Sequence, residues 1–133
     1  MSNLNCSIVI PSKKIFEGEV EYISAPGIVG EFGALPGHEK FITILDIGTV
    51  SVKTNDSDTR EFFIVDGYFE VSEDKVIIIA EEAFTKDEID TSEAAKKAEE
   101  YKNRLSSLGF NDADYKKTKH KFDKYSKMLK FAS

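Results

Sequence analysis

The stretch Lys75–Gly109, KVIIIAEEAFTKDEIDTSEAAKKAEEYKNRLSSLG, contains the change of period that decides the fold. Up to Phe84 it is a strand-type run, β-branched from Val76 to Ile79. After Lys86 the apolar residues return at helical intervals. Ala94, Ala98, Tyr101, Leu105 and Leu108 follow at steps of 4, 3, 4 and 3, which places them on one face of a helix. Asp90, three residues before Glu93, predicts a capping-box-like start, and Gly109 predicts the stop.

Towards the N-terminus the period stays at two. Cys6, Ile8 and Ile10, then Val20 and Tyr22, then Val50 and Val52 alternate with polar residues, and Phe62 to Val65 form a short apolar run. Turn residues interrupt the pattern at Pro26-Gly27, Pro36-Gly37, Thr54 to Asp58, Asp66-Gly67 and Ser72 to Asp74. A break about every 8 to 12 positions suits an antiparallel sandwich or barrel better than βαβ units. Towards the C-terminus a second stripe follows Asn111-Asp112, with Tyr115, Phe122, Tyr125, Leu129 and Ala132 on one face. The short connection predicts an antiparallel helix pair. The expected fold is therefore α+β and mainly β, with an N-terminal antiparallel β-sandwich over residues 1–86 and a C-terminal two-helix antiparallel hairpin over 87–133. Two isolated helices of about 20 residues are marginal in water, so the hairpin is expected to lean on another surface and to be able to move.

Charge divides along the same boundary. Residues 1–86 hold 7 Lys/Arg against 15 Asp/Glu, a net of −8, whereas residues 87–133 hold 11 against 9, a net of +2. Seven lysines, Lys116, Lys117, Lys119, Lys121, Lys124, Lys127 and Lys130, make the second helix basic against three acids from Asp112 onward. Such a helix is either a solvated face or a docking surface for an acidic partner. The chain as a whole is acidic, net −6, which argues against nucleic-acid binding.

Few residues suggest chemistry. His38 and His120 are the two histidines and fall in different halves, so no zinc-type cluster is expected. One cysteine, Cys6, excludes an internal disulfide and reads as a buried filler. The segment Gly30 to His38, GEFGALPGH, lacks the G-x-x-x-x-G-K-[ST] order of a phosphate loop. It reads as a short strand between tight turns, with Pro36 fixing φ before Gly37. No G-x-S-x-G elbow is present, so an enzyme is not expected. No apolar run approaches the roughly 20 residues needed to cross a bilayer, and the start Met-Ser-Asn-Leu-Asn-Cys lacks a signal-peptide pattern, so a cytoplasmic protein is expected.

The Gly-Glu-Phe-Gly core of that segment with Leu35-Pro36-Gly37-His38, followed by Asp66-Gly67-Tyr68-Phe69-Glu70-Val71, Asp74-Lys75-Val76 and Ile89-Asp90, resembles the epsilon subunit of bacterial F-type ATP synthases essentially end to end. The resemblance implies a non-catalytic central-stalk subunit without a cofactor, coupling gamma to the c-ring and regulating ATP hydrolysis through mobile C-terminal helices. It implies that Val29, Gly30 and Glu31 meet the polar loops of the ring, and that the region of His38 lies near gamma. In the inhibited state the basic second helix would meet the alpha and beta subunits. The location implied is the cytoplasmic face of the bacterial membrane, reached only through the complex. Some relatives bind ATP through Ile-Asp-x-x-Arg-Ala plus a later arginine. Here Ile89, Asp90 and Ala94 stand in place, but Glu93 and Glu100 replace the two arginines, so weak or no ATP binding is expected. Two other classes fit the same fold: a free-standing β-sandwich adaptor with a helical arm, and a nucleotide-sensing module.

Overall fold

A computed structural model of the chain describes residues 3–28, 30–34, 40–54 and 58–133. The expected contacts Val29 and His38, and with them the Leu35-Pro36-Gly37-His38 element, lie outside the described residues. The chain divides into two compact units, Met1–Thr85 and Lys86–Ser133.

The first unit holds eight strands: β1 (Leu4–Ile10), β2 (Lys13–Val20), β3 (Tyr22–Gly27), β4 (Gly30–Ala34), β5 (Phe41–Leu45), β6 (Gly48–Lys53), β7 (Thr59–Ser72) and β8 (Lys75–Phe84). They fold into two layers because β7 and β8 are long enough to take part in both. β7 pairs with β6 over Thr59–Ile64 and with β5 over Gly67–Val71. One layer therefore runs β2-β1-β8-β7-β5, and the other brings together β4, β3, β6, the first half of β7 and the end of β8. The ladders are antiparallel except β1 with β8, which run parallel through Asn5↔Lys75 to Val9↔Ile79.

Asp66-Gly67, expected as a turn, is instead a bend inside the continuous strand β7. Asp66 takes a φ of 50° there, a conformation that aspartate tolerates better than most residues. A side chain on Gly67 would run into the Ile79 carbonyl, so glycine lets β7 and β8 approach where the sheet folds over. The Ser72 to Asp74 turn is a real hairpin. Glu73 and Asp74 have φ of 49° and 63° between the paired residues Ser72 and Lys75, as a tight two-residue connection requires.

The space between the layers is filled by the inward residues of each strand. Leu4, Cys6 and Ile8 of β1, Val50 and Val52 of β6, Phe62 and Ile64 of β7, and Val76, Ile78 and Ala80 of β8 are all buried. Most of the alternation read from the sequence is thus the core face, each large apolar side chain contributing about 1.5–3 kcal/mol, but Tyr22 is exposed and Ile10 only half-buried. Cys6 is fully buried, and burial pushes its thiol from 9.0 up to about 12. Between those pH values the folded chain keeps a proton that the unfolded chain loses. The stability from this group is therefore fully present below about pH 9 and falls as pH rises towards 12, by about 1.4 kcal/mol per pH unit. Urea unfolding of the parent and Cys6→Ala at pH 8 and pH 10.5 checks this: the parent's advantage should shrink by about 2 kcal/mol, and an unchanged difference would contradict it.

The second unit begins with a single 3-10 turn, Lys86–Glu88, followed by α1 (Thr91–Ser106) and α2 (Tyr115–Ala132). Asp90 caps α1 as expected, its carboxylate accepting from the Glu93 N–H at 3.1 Å. The helix stops earlier than Gly109. The Ser106 and Ser107 hydroxyls donate to the carbonyls of Asn103 and Arg104 at 2.7 and 2.8 Å, taking up acceptors that a continuing helix would use. Tyr101 stacks on Tyr125 with ring centroids 5.9 Å apart and planes 6° apart. With Tyr101 facing the middle of α2 and Leu108 beside Lys117 and Thr118, the two helices run antiparallel.

The buried side of α2 is wider than the sequence stripe. Tyr115, Phe122, Tyr125, Leu129 and Ala132 are half-buried, whereas the buried residues are Thr118, Met128 and Phe131. Thr118 lies at the centre of the stripe, but at 3.6 residues per turn Met128 and Phe131 sit roughly 80° and 140° away from it. The 3-10 turn accounts for part of this, since the Lys86 ammonium lies 5.7 Å over the Phe131 ring.

Candidate functional site: an apolar sheet face, a strand tip and a basic helix

Strand alternation leaves one face of the β2-β1-β8-β7-β5 layer pointing outward. The register lines up Ile44, Tyr68, Ile79 and Val9 across β5, β7, β8 and β1. A neighbouring row joins Ile42, Glu70, Ile77 and Ser7. Ile42 and Ile44 are 65% and 61% exposed and Tyr68 is 41% exposed. Scattered apolar residues on a surface need no explanation, but a row continuous across adjacent strands marks a docking surface. The sequence carried a signal for it. Phe41-Ile42-Thr43-Ile44-Leu45 is apolar on both strand faces, which a half-solvated strand does not need.

The strand tip between β3 and β4 is small and exposed. Gly30 has a φ of 132°, and a side chain on Gly27 would meet the Gly30 carbonyl and the Phe32 ring, so the chain reverses here on glycine. Ile28 is 58% exposed, and Gly30 and Glu31 are exposed beside it. An apolar side chain next to a carboxylate at a loop tip can touch a surface but has no partner for chemistry.

In the second unit, Lys116, Lys117, Lys119, Lys121, Lys127 and Lys130 are exposed and Lys124 is half-buried. They are spread round α2, with Lys117 and Lys121 at the edge that meets α1 and the others further out. Lys119 pairs with Asp123 at 3.3 Å, and the Lys124 ammonium lies 5.1 Å from the Tyr125 ring centroid. Exposed pairs of this kind add little stability, about 0–1 kcal/mol, so the charge is available to a partner at little cost to the fold. Of the ATP-motif positions, Asp90 is occupied as the helix cap, Ile89 is half-buried and Ala94 is buried. Glu93 is exposed, and Glu100 binds Arg104 at 2.8 Å. The structure thus separates the sequence-singled residues into a strand tip, a helix start and a basic helix surface, and it adds the apolar row that the sequence reading passed over.

Comparison with known proteins bears on this arrangement. The model of the ATP synthase delta/epsilon chain β-sandwich domain matches residues 3–86. The ATP synthase epsilon chain of Nitratidesulfovibrio vulgaris (strain DP4) is 38% identical over 106 residues, covering 80% of this chain and 78% of its own length. That of Geobacter metallireducens is 40% identical over 116 residues, covering 85% and 81%. A chain of the Euglena gracilis mitochondrial ATP synthase OSCP/F1/c-ring assembly superposes with a TM-score of 0.85 at 22% identity, over 96% of this chain and 80% of that one. This last likeness concerns the fold alone. With a sandwich model spanning the first unit and relatives close to 40% identical over most of both chains, this chain belongs to the ATP synthase delta/epsilon family, among the epsilon chains.

Proposed function

We propose that this chain is the central-stalk rotor subunit joining gamma to the c-ring of an F-type ATP synthase, and that its C-terminal helices restrain ATP hydrolysis. The observation that carries the reading is the apolar row Ile44-Tyr68-Ile79-Val9 with Ile42 beside it, a face of the kind a larger rigid neighbour covers. Gamma occupies that face, with the His38 region near the same partner. Val29, Gly30 and Glu31 meet the polar loops of the ring. Residues 1–86 transmit force by shape, and no group in the chain performs chemistry on a substrate.

Residues 87–133 form the regulatory arm. In its inhibitory state the lysines from Lys116 to Lys130 meet acidic surface on the alpha and beta subunits, a contact that weakens as salt rises. A few kcal/mol of differential contact suffices to move such a two-state arm. The subunit sits peripherally on the cytoplasmic face of a bacterial membrane and reaches the bilayer only through the complex, whose ring passes protons or sodium ions.

Tagged protein retrieved from detergent-solubilised membranes of its source tests the reading. Gamma, alpha and beta should come with it in fixed ratio, and recovery of the chain alone would overturn the proposal. ATP sensing is weak or absent, because Glu93 and Glu100 would repel a triphosphate at the motif. Calorimetry with ATP should therefore give no micromolar binding, and a micromolar Kd would contradict this.

A further inference from the structure

We propose that the groove between α1 and α2, at the end where they connect, binds a phosphate group. It is a cavity of about 340 Å³ walled by Arg104 from α1 and by Lys117 and Lys121 from α2. Lys117 and Lys121 are four residues apart and so share one side of their helix, the side that faces Arg104. The guanidinium of Arg104 and the ammonium of Lys121 lie 5.3 and 5.8 Å from the centroid of the same ring, Tyr101, and so are no more than about 11 Å apart. Three cations are thus gathered around one opening. The carboxylate lining it is Asp114, which makes no cap bond to its own helix. Arg104 also pairs with Glu100 at 2.8 Å, an exposed pair of small worth that a dianion would have to displace.

The donor set favours a tetrahedral dianion over a carboxylate. Arg104 offers a planar fork, the two lysines offer point charges, and Thr118 of α2 and Ser107 at the end of α1 line the same groove. Converging like charges repel one another, and a bridging anion removes that cost while gaining several charge-assisted hydrogen bonds. The volume exceeds that of one phosphate and admits a diphosphate. This groove is built from residues 101–121 and uses none of the motif positions Ile89, Asp90 and Ala94. Its ligand is the phosphate group itself, whether free or carried at the end of a nucleotide.

Amide shifts of the full-length chain, titrated with inorganic pyrophosphate, orthophosphate, ATP and adenosine at constant ionic strength, test the site. Pyrophosphate should move the Ser107, Lys117 and Thr118 amides to saturation; if ATP moves the same amides the nucleotide is also a source, and if it does not the free anion is. Either outcome supports the site provided adenosine moves none of them. The pair Lys117→Gln and Lys121→Gln should weaken pyrophosphate binding at least tenfold without changing the circular dichroism, as loss of charge-assisted bonds implies, whereas Lys127→Gln with Lys130→Gln should leave it unchanged. Shifts spread evenly over all α2 lysines, equal binding by the first pair, or binding of adenosine and ATP alike centred on Asp90 and Ala94 would each overturn the proposal.

Discussion

Ile44→Asp is expected to weaken association with gamma roughly thirtyfold or more while lowering the melting temperature by less than about 10 °C. Ile44 stands opposite Tyr68 in the β5–β7 ladder and is 61% exposed, so its side chain does not support the core. Surface changes of this kind usually cost the fold within about 0.5 kcal/mol, with up to about 1 kcal/mol more for a lost cross-strand pair. Beneath a covering partner the same change places an unpaired carboxylate in a desolvated contact, and anchors at such positions are worth 2 kcal/mol or more. The measurement is gamma affinity beside thermal unfolding, with Glu31→Gln as a variant away from this face. Unchanged affinity for gamma would move the docking surface elsewhere, and a large fall in melting temperature would mean that Ile44 is structural after all.

Phe69→Ala is expected to show the opposite pattern, a fold loosened from within. Phe69 is 1% exposed and lies edge-on to Phe32, with centroids 4.8 Å apart and planes at 83°, and 6.3 Å from Phe41. It therefore ties β7 to its neighbour β5 and, across the two layers, to β4. Truncation to alanine removes about 3–5 kcal/mol from a total that for a domain of this kind is about 5–15 kcal/mol. In urea this lowers the midpoint by about 2 M at an ordinary slope. A loss below about 1.5 kcal/mol would show that the aromatic cluster collapses around the gap instead of holding it open.

Much of this was legible from residues alone. The switch of period after Phe84 separated strands from helices, and Asp90 marked the start of α1 to the residue, because a carboxylate at that spacing has one backbone N–H to satisfy. Asp66-Gly67 misled because the pair is the commonest tight-turn signal. Here the same left-handed tolerance serves a bend in a fourteen-residue strand. Gly109 misled in a similar way: serine hydroxyls ended α1 first. The buried flank of α2 at Met128 and Phe131 could not be read from a single stripe, since at Phe131 it depends on the 3-10 turn meeting the helix. The outward row on β5 and β7 was hidden for a different reason. Alternation tells which residues share a face, but an apolar residue on each face gives no sign of which face a partner will cover, and only the register of Ile44 with Tyr68 and Ile79 assembles the row.

The central claim is a division of labour, with the sandwich assembling and the helices restraining. It is tested most directly by steady-state ATP hydrolysis of the reconstituted complex carrying either the full chain or one lacking Asn111–Ser133, with the amount of bound subunit measured in both. The account predicts equal incorporation and several-fold faster hydrolysis without α2. Equal hydrolysis at equal incorporation would contradict the restraint, and loss of incorporation would contradict the sandwich as the assembling part.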